Sequence, residues 1–214
     1  MGNSSELLLR RFIMIAIIDY DAGNIHSVKN AFEAIGQEVI VTRDSKELMA
    51  ADRVVLPGVG SFGDAMKKLH EYDLIDTIHK IVASNKPFLA ICLGLQVLFE
   101  ESEEYPGIAG LGIVKGKVLK IPNQVGFKIP HIGWNSLELS HNGRLFKGLG
   151  EEPYVYFVHS YYAKAEDESV VTASTEYVAH MHTSVEVGNV FACQFHPEKS
   201  GDVGLKILQN FVEV

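Results

Sequence analysis

The sequence predicts an α/β protein whose central sheet is mostly parallel and whose second half is rich in β-strands. Between Met14 and Cys92, short segments of β-branched residues alternate with amphipathic helical segments. Strands that alternate with helices form parallel sheets joined by right-handed crossovers. After about Pro106 the alternation of strands and helices ends, and the sequence predicts successive short strands separated by Gly, Asn and charged turns. Because no repeat, low-complexity tract or linker interrupts the sequence, we expect a single domain over residues 14–214.

Each element of the first half has a local signal. Residues 14–20 form an apolar, β-branched run typical of a buried strand. Asn24 is suited to cap the helix that follows, and Gly36 ends that helix. Residues 62–84 predict a long helical stretch with a break near Tyr72 and Asp73. Further strands are expected at residues 38–42, 53–56 and 87–92, and a short helix capped by Asp44 or Ser45 is expected at residues 45–51.

The second half predicts strands joined by tight turns. Val187-Gly188-Asn189-Val190 is a hairpin signal, because Gly and Asn accept the positive φ angles of a two-residue turn. Residues 201–214 have the apolar spacing of a closing helix. Strands are expected at residues 114–121, 135–139, 155–163, 170–175, 183–187 and 190–195.

Composition and charge exclude several classes of protein. The chain has 214 residues, 47% hydrophobic and 21% charged, which is ordinary for a globular protein. Its net charge of −8 argues against a nucleic-acid partner, which would require a basic patch. No apolar run approaches the roughly 18 residues of a membrane span, so no membrane partner is expected. Two cysteines, Cys92 and Cys193, are too few for a disulfide framework and indicate free thiols in a cytoplasmic protein.

The first residues do not match a targeting signal. The run Leu7-Leu8-Leu9 is too short for a secretory signal, and Arg10-Arg11 follows it instead of preceding it. Glu6 stands where a myristoylation signal needs Ser or Thr. We expect residues 1–13 to be a dispensable extension.

Cys92 is the first candidate for a catalytic group. It ends an apolar strand-like run, and a helix-like run begins at Leu93. A thiol at such a turn is expected to be exposed above the end of the sheet, where the helix dipole favours the thiolate and free N–H groups can hold an oxyanion. Gly94 would allow close packing of the helix, whereas Ala90 stands where Gly fits such a turn most easily. The alternative is a buried structural cysteine.

His196 and Glu198 are the candidate base and its orienting group. His196 follows an apolar strand, and Pro197 restricts its backbone. Glu198 could hold one ring nitrogen, fix the tautomer and stabilise the imidazolium. A turn with a solvated glutamate is the alternative interpretation.

Residues 57–63, Pro-Gly-Val-Gly-Ser-Phe-Gly, form a glycine-rich loop that could supply an oxyanion hole. Glycines at positions 58, 60 and 63 allow backbone N–H groups to turn towards a ligand. A plain strand-to-helix turn is the alternative. A nucleotide phosphate loop is disfavoured, because no Gly-Lys-Ser/Thr follows.

Metal binding has weak support, and no metal site is predicted. His180 and His182 would share one face of a strand, but no Cys or carboxylate set completes a site with zinc-like spacing. The aromatic residues of the predicted strands are usually part of a core, and an exposed subset would suit a partner interface. These residues are Trp134, Tyr154, Tyr156, Tyr161 and Tyr162.

Taken together, six segments resemble the class I (triad) glutamine amidotransferases, and within them the glutaminase subunits of imidazole glycerol phosphate synthase in histidine biosynthesis. The resemblance covers nearly the whole chain from Met14 to Val214, with Ala90 in place of the commoner Gly as the one departure noted. It implies a flavodoxin-like three-layer fold. The segments are Asp21-Ala22-Gly23-Asn24, residues 57–63, Cys92-Leu93-Gly94-Leu95-Gln96, residues 130–135, residues 156–161 and residues 195–200.

The resemblance implies a function for each segment. Cys92 would attack the side-chain amide of L-glutamine, His196 would carry the proton to the departing ammonia, and Glu198 would orient His196. The N–H of Leu93 and an N–H of the loop at Val59 or Gly60 would hold the oxyanion. No cofactor is implied. The substrate cradle would comprise Gly58, Gln96, Glu104, Ser160 and Tyr161, with Glu104 facing the cationic α-amino group.

The resemblance also implies a partner. Family members dock as a heterodimer on a cyclase subunit with a (β/α)8 barrel, and ammonia passes through the barrel to the second active site. Positions matching that junction are Asn24, Trp134, Tyr156 and Lys199. Three alternatives remain open from sequence: a glutaminase for another synthase, a thiol hydrolase on a similar sheet, and a non-catalytic binding module.

Overall fold

The first half of the chain forms the parallel part of one large sheet. The computed structural model describes residues 13–140 and 143–214, so the predicted extension lies outside the described residues except for Ile13. Strand β1 (Met14–Ile18) lies between β2 (Glu38–Thr42) and β3 (Arg53–Leu56), and β3 pairs with β4 (Phe88–Ile91). All three pairings are parallel, as the alternation of strands and helices predicts.

The helices of this half largely match their predicted positions. They are α1 (Ile25–Ala34), α2 (Ser45–Ala50), α3 (Phe62–Glu71), α4 (Leu74–Ala83) and the short α5 (Leu93–Val97). Asp44 caps α2 by accepting hydrogen bonds from the N–H groups of Lys46 and Glu47. The predicted break between α3 and α4 is present, with Asp73 in the left-handed region at φ 52°.

The prediction that Asn24 caps α1 is wrong. Asn24 precedes α1 but makes no side-chain cap hydrogen bond, and its backbone is left-handed at φ 72°. Its side-chain amide instead donates to Glu198 Oε1, 2.5 Å away. The long-range hydrogen bond to a buried carboxylate takes the place of the local cap.

The second half extends the sheet with mostly antiparallel strands. Its strands are β5 (Glu101–Ser102), β6 (Gly116–Lys120), β7 (His131–Ser136), β8 (Glu138–Leu139), β9 (Tyr154–His159), β10 (Tyr161–Ala165), β11 (Val171–Tyr177), β12 (Ala179–Val187) and β13 (Val190–Cys193), followed by helix α6 (Gly201–Glu213). The order across the main sheet is β2-β1-β3-β4-β13-β12-β10-β6-β5, and β11 and β8 branch from β12. The predicted hairpin joins β12 to β13. Strand β13 then pairs in parallel with β4, which brings the chain back beside Cys92.

Three predicted strands are wrong in their extent. The predicted strand at residues 155–163 is two strands, because β9 pairs with β7 in a separate two-stranded ribbon, whereas β10 pairs with β6 and β12 in the main sheet. The chain therefore changes sheets at Ser160. The strand expected at residues 135–139 spans parts of two strands, because β7 starts at His131 and pairs with β9, whereas β8 pairs with β11. The strand expected at residues 183–187 starts four residues earlier, at Ala179, because β12 pairs with β11 from there.

Helices cover both faces of the parallel strands, giving the three layers that the resemblance implies. Within β1, Ala16 and Ile18 belong to one apolar cluster, and Ile15 and Ile17 belong to the other. The first cluster includes buried residues of α2, α3, α4 and α5, and the second includes those of α1 and α6. Among the residues that the structure describes, no helix is long and apolar enough to cross a membrane.

Candidate active site

Cys92 occupies a strained turn between β4 and α5. Its φ of 57° and ψ of −109° lie outside the regions that non-glycine residues usually adopt. The Cys92 N–H donates to the Cys193 carbonyl of β13 at 2.7 Å, and the Cys92 carbonyl accepts from the Gln96 N–H at 3.3 Å. Strain of this kind is concentrated at functional sites, where the surrounding structure maintains it.

The close packing of α5 requires Gly94. A Cβ at position 94 would lie 2.1 Å from the carbonyl oxygen of Leu56 on β3. Ala90 is compatible with the turn, because it lies within β4 and is not among the residues with a positive φ. The thiol is less accessible than the sequence suggests: Cys92 is only 6% exposed and reaches solvent through a cavity.

His196 and Glu198 form a buried pair beside this turn. His196 Nδ1 lies 2.6 Å from Glu198 Oε1, and their side chains are 1% and 0% exposed. The short 3₁₀ turn Pro197–Lys199 brings the carboxylate back onto the ring. Asn24 donates a hydrogen bond to the same oxygen of Glu198, so three side chains are linked by hydrogen bonds. The backbone is fixed as well, because the His196 N–H donates to the Tyr156 carbonyl at 3.0 Å.

The electrostatic environment of His196 favours the imidazolium. Burial opposes the charged ring, but the neighbouring Cys92 and then Glu198 outweigh burial and raise the pKa of His196 from 6.5 to about 9. The imidazole therefore carries its proton at neutral pH. Its Nε2 atom is buried and makes no hydrogen bond to any described residue, so that N–H remains available to a reacting group.

A cavity of about 420 Å³ brings most of the predicted site residues together. Its volume suits a molecule the size of an amino acid, and both polar and apolar side chains line it. Gly58 is not among the lining residues but lies behind them, where an added Cβ would come 2.4 Å from Tyr20 Oη. The lining residues are Val59, Gly60, Cys92, Leu93, Gln96, Glu104, Pro130, Val158, His159, Ser160, Tyr161, His196 and Lys199.

One predicted oxyanion donor, the Leu93 N–H, is not free in this conformation. The Leu93 N–H donates to the Gly58 carbonyl at 3.3 Å, so the loop presents an acceptor where an oxyanion would need donors. The loop has one residue that can rotate readily, because Gly60 has φ +105° and nothing within 4 Å of an added Cβ. Val59, beside it, is 38% exposed.

Four of the predicted substrate residues, Gln96, Glu104, Ser160 and Tyr161, line the cavity. Gln96 is buried, and its Nε2 donates to the carbonyl of Tyr161 at 3.0 Å. Glu104 is half-buried and accepts a hydrogen bond from the Phe62 N–H at the start of α3, at 2.8 Å. The Ser160 carbonyl accepts from the Ile121 N–H at 2.9 Å, which fixes the Ser160-Tyr161 backbone.

Among the predicted interface residues, Lys199 lines the cavity, whereas Asn24, Trp134 and Tyr156 do not. Trp134 and Tyr156 are register partners in the β7–β9 ribbon, with ring centroids 6.2 Å apart. Trp134 is 55% exposed, and Tyr156 is half-buried. Lys199 is exposed and lines the cavity. Asn24 differs from the other three, because its side chain contacts the buried pair.

Sequence reasoning missed three polar residues around the cavity. Gln194 is fully buried and donates from Nε2 to the Cys92 sulfur at 3.6 Å. His131 Nδ1 and His159 Nε2 lie 3.0 Å apart, and His159 Nδ1 contacts the Tyr161 carbonyl at 2.8 Å. Burial lowers the pKa of both histidines, to about 4 for His131 and about 3 for His159. Because Gln194 precedes His196 by two residues along an extended segment, the sequence could have placed both side chains on the same face, although not their contacts.

Comparison with known proteins gives the class of this site. The family model "Glutamine amidotransferase class-I" matches residues 16–214. In structure, the chain is similar to a solved glutamine amidotransferase, with a TM-score of 0.73 over 93% of this chain and 97% of the other at 23% identity. It is similar to PurLQS from Thermotoga maritima, with a TM-score of 0.71 over 94% and 97% of the two chains at 23% identity. These two structures support the fold alone.

Curated relatives give a narrower group. The chain is 51% identical to imidazole glycerol phosphate synthase subunit HisH of Methanocaldococcus jannaschii over 201 residues, which is 94% of this chain and 100% of the relative. It is 52% identical to the HisH subunit of Aquifex aeolicus over 196 residues, which is 91% and 94% of the two chains.

The chain belongs to the class I glutamine amidotransferases. Within that class it belongs with the HisH subunits, the glutaminase subunits of imidazole glycerol phosphate synthase.

Proposed function

We propose that Cys92, His196 and Glu198 form the catalytic triad that hydrolyses L-glutamine to glutamate and ammonia. The observation that carries the proposal is the cavity in which a strained cysteine meets a histidine with a free, buried Nε2 and a carboxylate on Nδ1. This is the arrangement that nucleophilic catalysis by a thiol requires.

In the first step, the Cys92 thiolate, which has given its proton to His196, attacks the side-chain carbonyl carbon of glutamine. A carbon–sulfur bond forms, and the carbonyl oxygen takes the negative charge. When this tetrahedral species collapses, the carbon–nitrogen bond breaks, and the His196 imidazolium gives its proton to the departing nitrogen. The pKa of about 9 at His196 suits this role, because the ring is protonated at neutral pH.

In the second step, water releases the product. Neutral His196 takes a proton from water, the resulting hydroxide attacks the glutamyl thioester, and the carbon–sulfur bond breaks to give glutamate. Glu198, held by Asn24, keeps the His196 ring in one orientation through both steps. Every proton transfer uses groups of this chain, the substrate and water.

Binding of glutamine depends on the polar groups that line the cavity. Glu104 supplies a carboxylate for the cationic α-amino group, and the Ser160-Tyr161 backbone supplies further polar contacts. Both amide hydrogens of Gln96 are already used, on the Tyr161 carbonyl and on Gln194 Oε1. Gln96 therefore offers only its Oε1 to the substrate, and that oxygen accepts a hydrogen bond from a substrate N–H.

Turnover requires a change in the glycine loop. The Leu93 N–H is occupied by the Gly58 carbonyl, and a second donor has to come from the peptide of Val59 or Gly60. Rotation of that peptide turns its N–H into the cavity, and the positive φ of Gly60 makes the rotation sterically accessible. We propose that the partner subunit shifts this equilibrium towards the rotated form.

The partner in this proposal is a (β/α)8-barrel cyclase subunit, with which the chain forms a heterodimer. It would receive the ammonia and make imidazole glycerol phosphate and aminoimidazole carboxamide ribotide.

The exposed face of the β7–β9 ribbon supports docking of this partner next to the cavity. We call this surface the ribbon face, and it comprises Ile132, Trp134, Tyr154, Tyr156 and Val158. Ile132 is 60% exposed and Trp134 55% exposed, while Val158 lines the cavity, so a partner seated there would receive ammonia without loss to solvent. We place this complex in the cytoplasm, in keeping with two free cysteines.

A glutaminase assay tests the proposal. Glutamine turnover is measured for the isolated chain, for the complex with the cyclase of the same organism, and for the complex loaded with the nucleotide ligand of the cyclase. We expect the loaded complex to be at least about tenfold faster than the isolated chain, since rotation of one peptide adds an oxyanion donor. Equal rates in all three samples would contradict control by the partner, and absence of turnover in all three would contradict glutaminase activity.

A further inference from the structure

Gln194 takes no part in the proposed proton transfers, but its side chain contacts both Cys92 and Gln96. It follows β13, is fully buried, and lies across the strand pair from the Cys92 turn. Its backbone N–H donates to the Thr183 carbonyl of β12 at 2.8 Å. Its side chain lies between the sulfur of Cys92 and the amide of Gln96, both of which belong to residues that line the cavity.

The hydrogen-bond partners fix which end of the Gln194 amide faces the sulfur. The carbonyl of Tyr161 can only accept, so the Gln96 atom beside it, 3.0 Å away, is the donor Nε2. The same Gln96 nitrogen lies 3.0 Å from Gln194, so the Gln194 atom there is the acceptor Oε1. Gln194 must then turn its Nε2 towards Cys92 Sγ, at 3.6 Å. The orientation follows from a backbone carbonyl and does not depend on distinguishing nitrogen from oxygen.

We propose that Gln194 is a positioning residue, which holds the Cys92 sulfur with a donated hydrogen bond and holds Gln96 with its carbonyl oxygen. The inference rests on the proposed role of Cys92 as the nucleophile. A hydrogen bond to sulfur is stronger when the sulfur is negatively charged, so this donor favours the reactive thiolate over the thiol. The same side chain fixes the acceptor that Gln96 offers to the substrate.

Other titratable groups also act on the Cys92 sulfur. His196, Tyr20 and Cys193 each interact electrostatically with Cys92. Burial and then Cys92 raise the pKa of Tyr20, so Tyr20 stays neutral at neutral pH and donates to the Pro57 carbonyl at 2.8 Å. Burial raises the pKa of Cys193, so its thiol is neutral too. Tyr20 and Cys193 are therefore both uncharged at neutral pH, and neither places a charge beside the Cys92 sulfur.

The test is the rate at which iodoacetamide alkylates Cys92 in the full-length isolated chain, located by mass spectrometry of the labelled peptide. Gln194→Met keeps approximate size and removes both hydrogen bonds. Gln194→Glu keeps the size and an oxygen for Gln96 but replaces the donor by an acceptor. Gln209→Met is the matched control, because Gln209 is an exposed residue of α6. Cys92→Ala gives the background from Cys193, and circular dichroism confirms that each variant is folded.

We expect Gln194→Met to lower the alkylation rate at pH 7 about tenfold, which corresponds to one charge-assisted hydrogen bond. The difference from wild type should shrink at alkaline pH, where the thiol ionises without help, which a purely structural effect would not produce. Gln194→Glu should be slowed at least as much, and it decides the question alone if the Met variant does not fold. The Gln209→Met rate should equal that of wild type.

Two results are distinguishable. If Gln194→Glu and any folded Gln194→Met react as fast as wild type at pH 7, the role of Gln194 is overturned while the proposed triad stands. If Cys92→Ala keeps its glutaminase activity, the proposed nucleophile is wrong, and the inference about Gln194 falls with it.

Discussion

Cys92 gains its position from backbone geometry, and its chemistry comes from residues far along the chain. Strand β4 ends at Ile91 and helix α5 begins at Leu93, so Cys92 alone absorbs the change of direction. The pairing of β13 with β4 then brings His196 to the same end of the sheet. Sequence reasoning could predict these two residues, because a thiol at a strand–helix turn and a His-Pro-Glu turn have distinctive chemistry.

Gln194 and the His131–His159 pair were not predictable in the same way. An amide has no titratable group, and its importance depends on which atoms face it across the sheet. The two histidines belong to different strands, β7 and β9, and meet only because those strands pair in register. Contacts of this kind depend on tertiary pairing, which a single sequence does not reveal.

Two adjacent glutamates allow a matched test of substrate binding at the residue scale. Glu104 and Glu103 each accept a backbone N–H at 2.8 Å, but only Glu104 lines the cavity. We expect Glu104→Gln to raise the KM for glutamine about tenfold, because it removes the charge opposite the α-ammonium group, with little change in kcat. The Gln side chain can still accept from the Phe62 N–H, so the fold should persist.

Steady-state kinetics of the cyclase complex measure this effect, with Glu103→Gln as the control that should leave KM unchanged. Equal KM values for Glu104→Gln and wild type would remove Glu104 from the binding site.

At the scale of elements, the first half of the fold was more predictable than the second. Its strands and helices differ in hydrophobic period and are separated by Gly, Asn or Asp signals, so the predicted elements agree closely with the structure. In the second half, a continuous β-pattern hid the change of sheets at Ser160, because β9 and β10 look alike locally and differ only in their partners. The pattern predicts strands, but it does not predict which strands pair.

The packing of α5 against β3 gives a prediction for this scale. Gly94→Ala would bring a Cβ to 2.1 Å from the Leu56 carbonyl, so either α5 or β3 must move. We expect a loss of about 3 kcal/mol in the free energy of unfolding, measured with urea. Gly150→Ala is the control, because nothing lies within 4 Å of an added Cβ there, and it should change stability by less than about 0.5 kcal/mol. Equal stability of the two variants would contradict the close contact.

At the scale of the whole molecule, the ribbon face, which is the proposed docking surface, connects to His196. Trp134 packs edge-on against the Tyr156 ring. The Tyr156 backbone accepts the His196 N–H and donates to Ser200 Oγ, with both distances 3.0 Å. A partner that contacts Trp134 would therefore also affect strand β9, which accepts the hydrogen bond from the His196 N–H.

Truncation of Trp134 tests the docking surface. We expect Trp134→Ala to weaken binding of the cyclase by about 2 kcal/mol, or roughly 30-fold in Kd, as for a central aromatic of an interface. The stability of the isolated chain should change little, since Trp134 is 55% exposed. Val187→Ala is the control: Val187 is 37% exposed, and it lies in the hairpin at the opposite end of β13 from His196. Titration calorimetry with the cyclase measures both, and equal Kd values for the two variants would exclude the ribbon face as the interface.

The central claim is that Cys92 is the nucleophile that releases ammonia for a separate synthase site. The most direct test compares Cys92→Ala with Cys193→Ala in the cyclase complex, assaying synthesis first with glutamine and then with added ammonium salt. Cys193 is the matched control, because it is also buried and free, and its side chain packs in the core with α1 and α6. We predict that Cys92→Ala loses glutamine-dependent synthesis by more than about 10³-fold and keeps ammonium-dependent synthesis, while Cys193→Ala keeps both. Glutamine-dependent synthesis by Cys92→Ala at the wild-type rate would contradict the account.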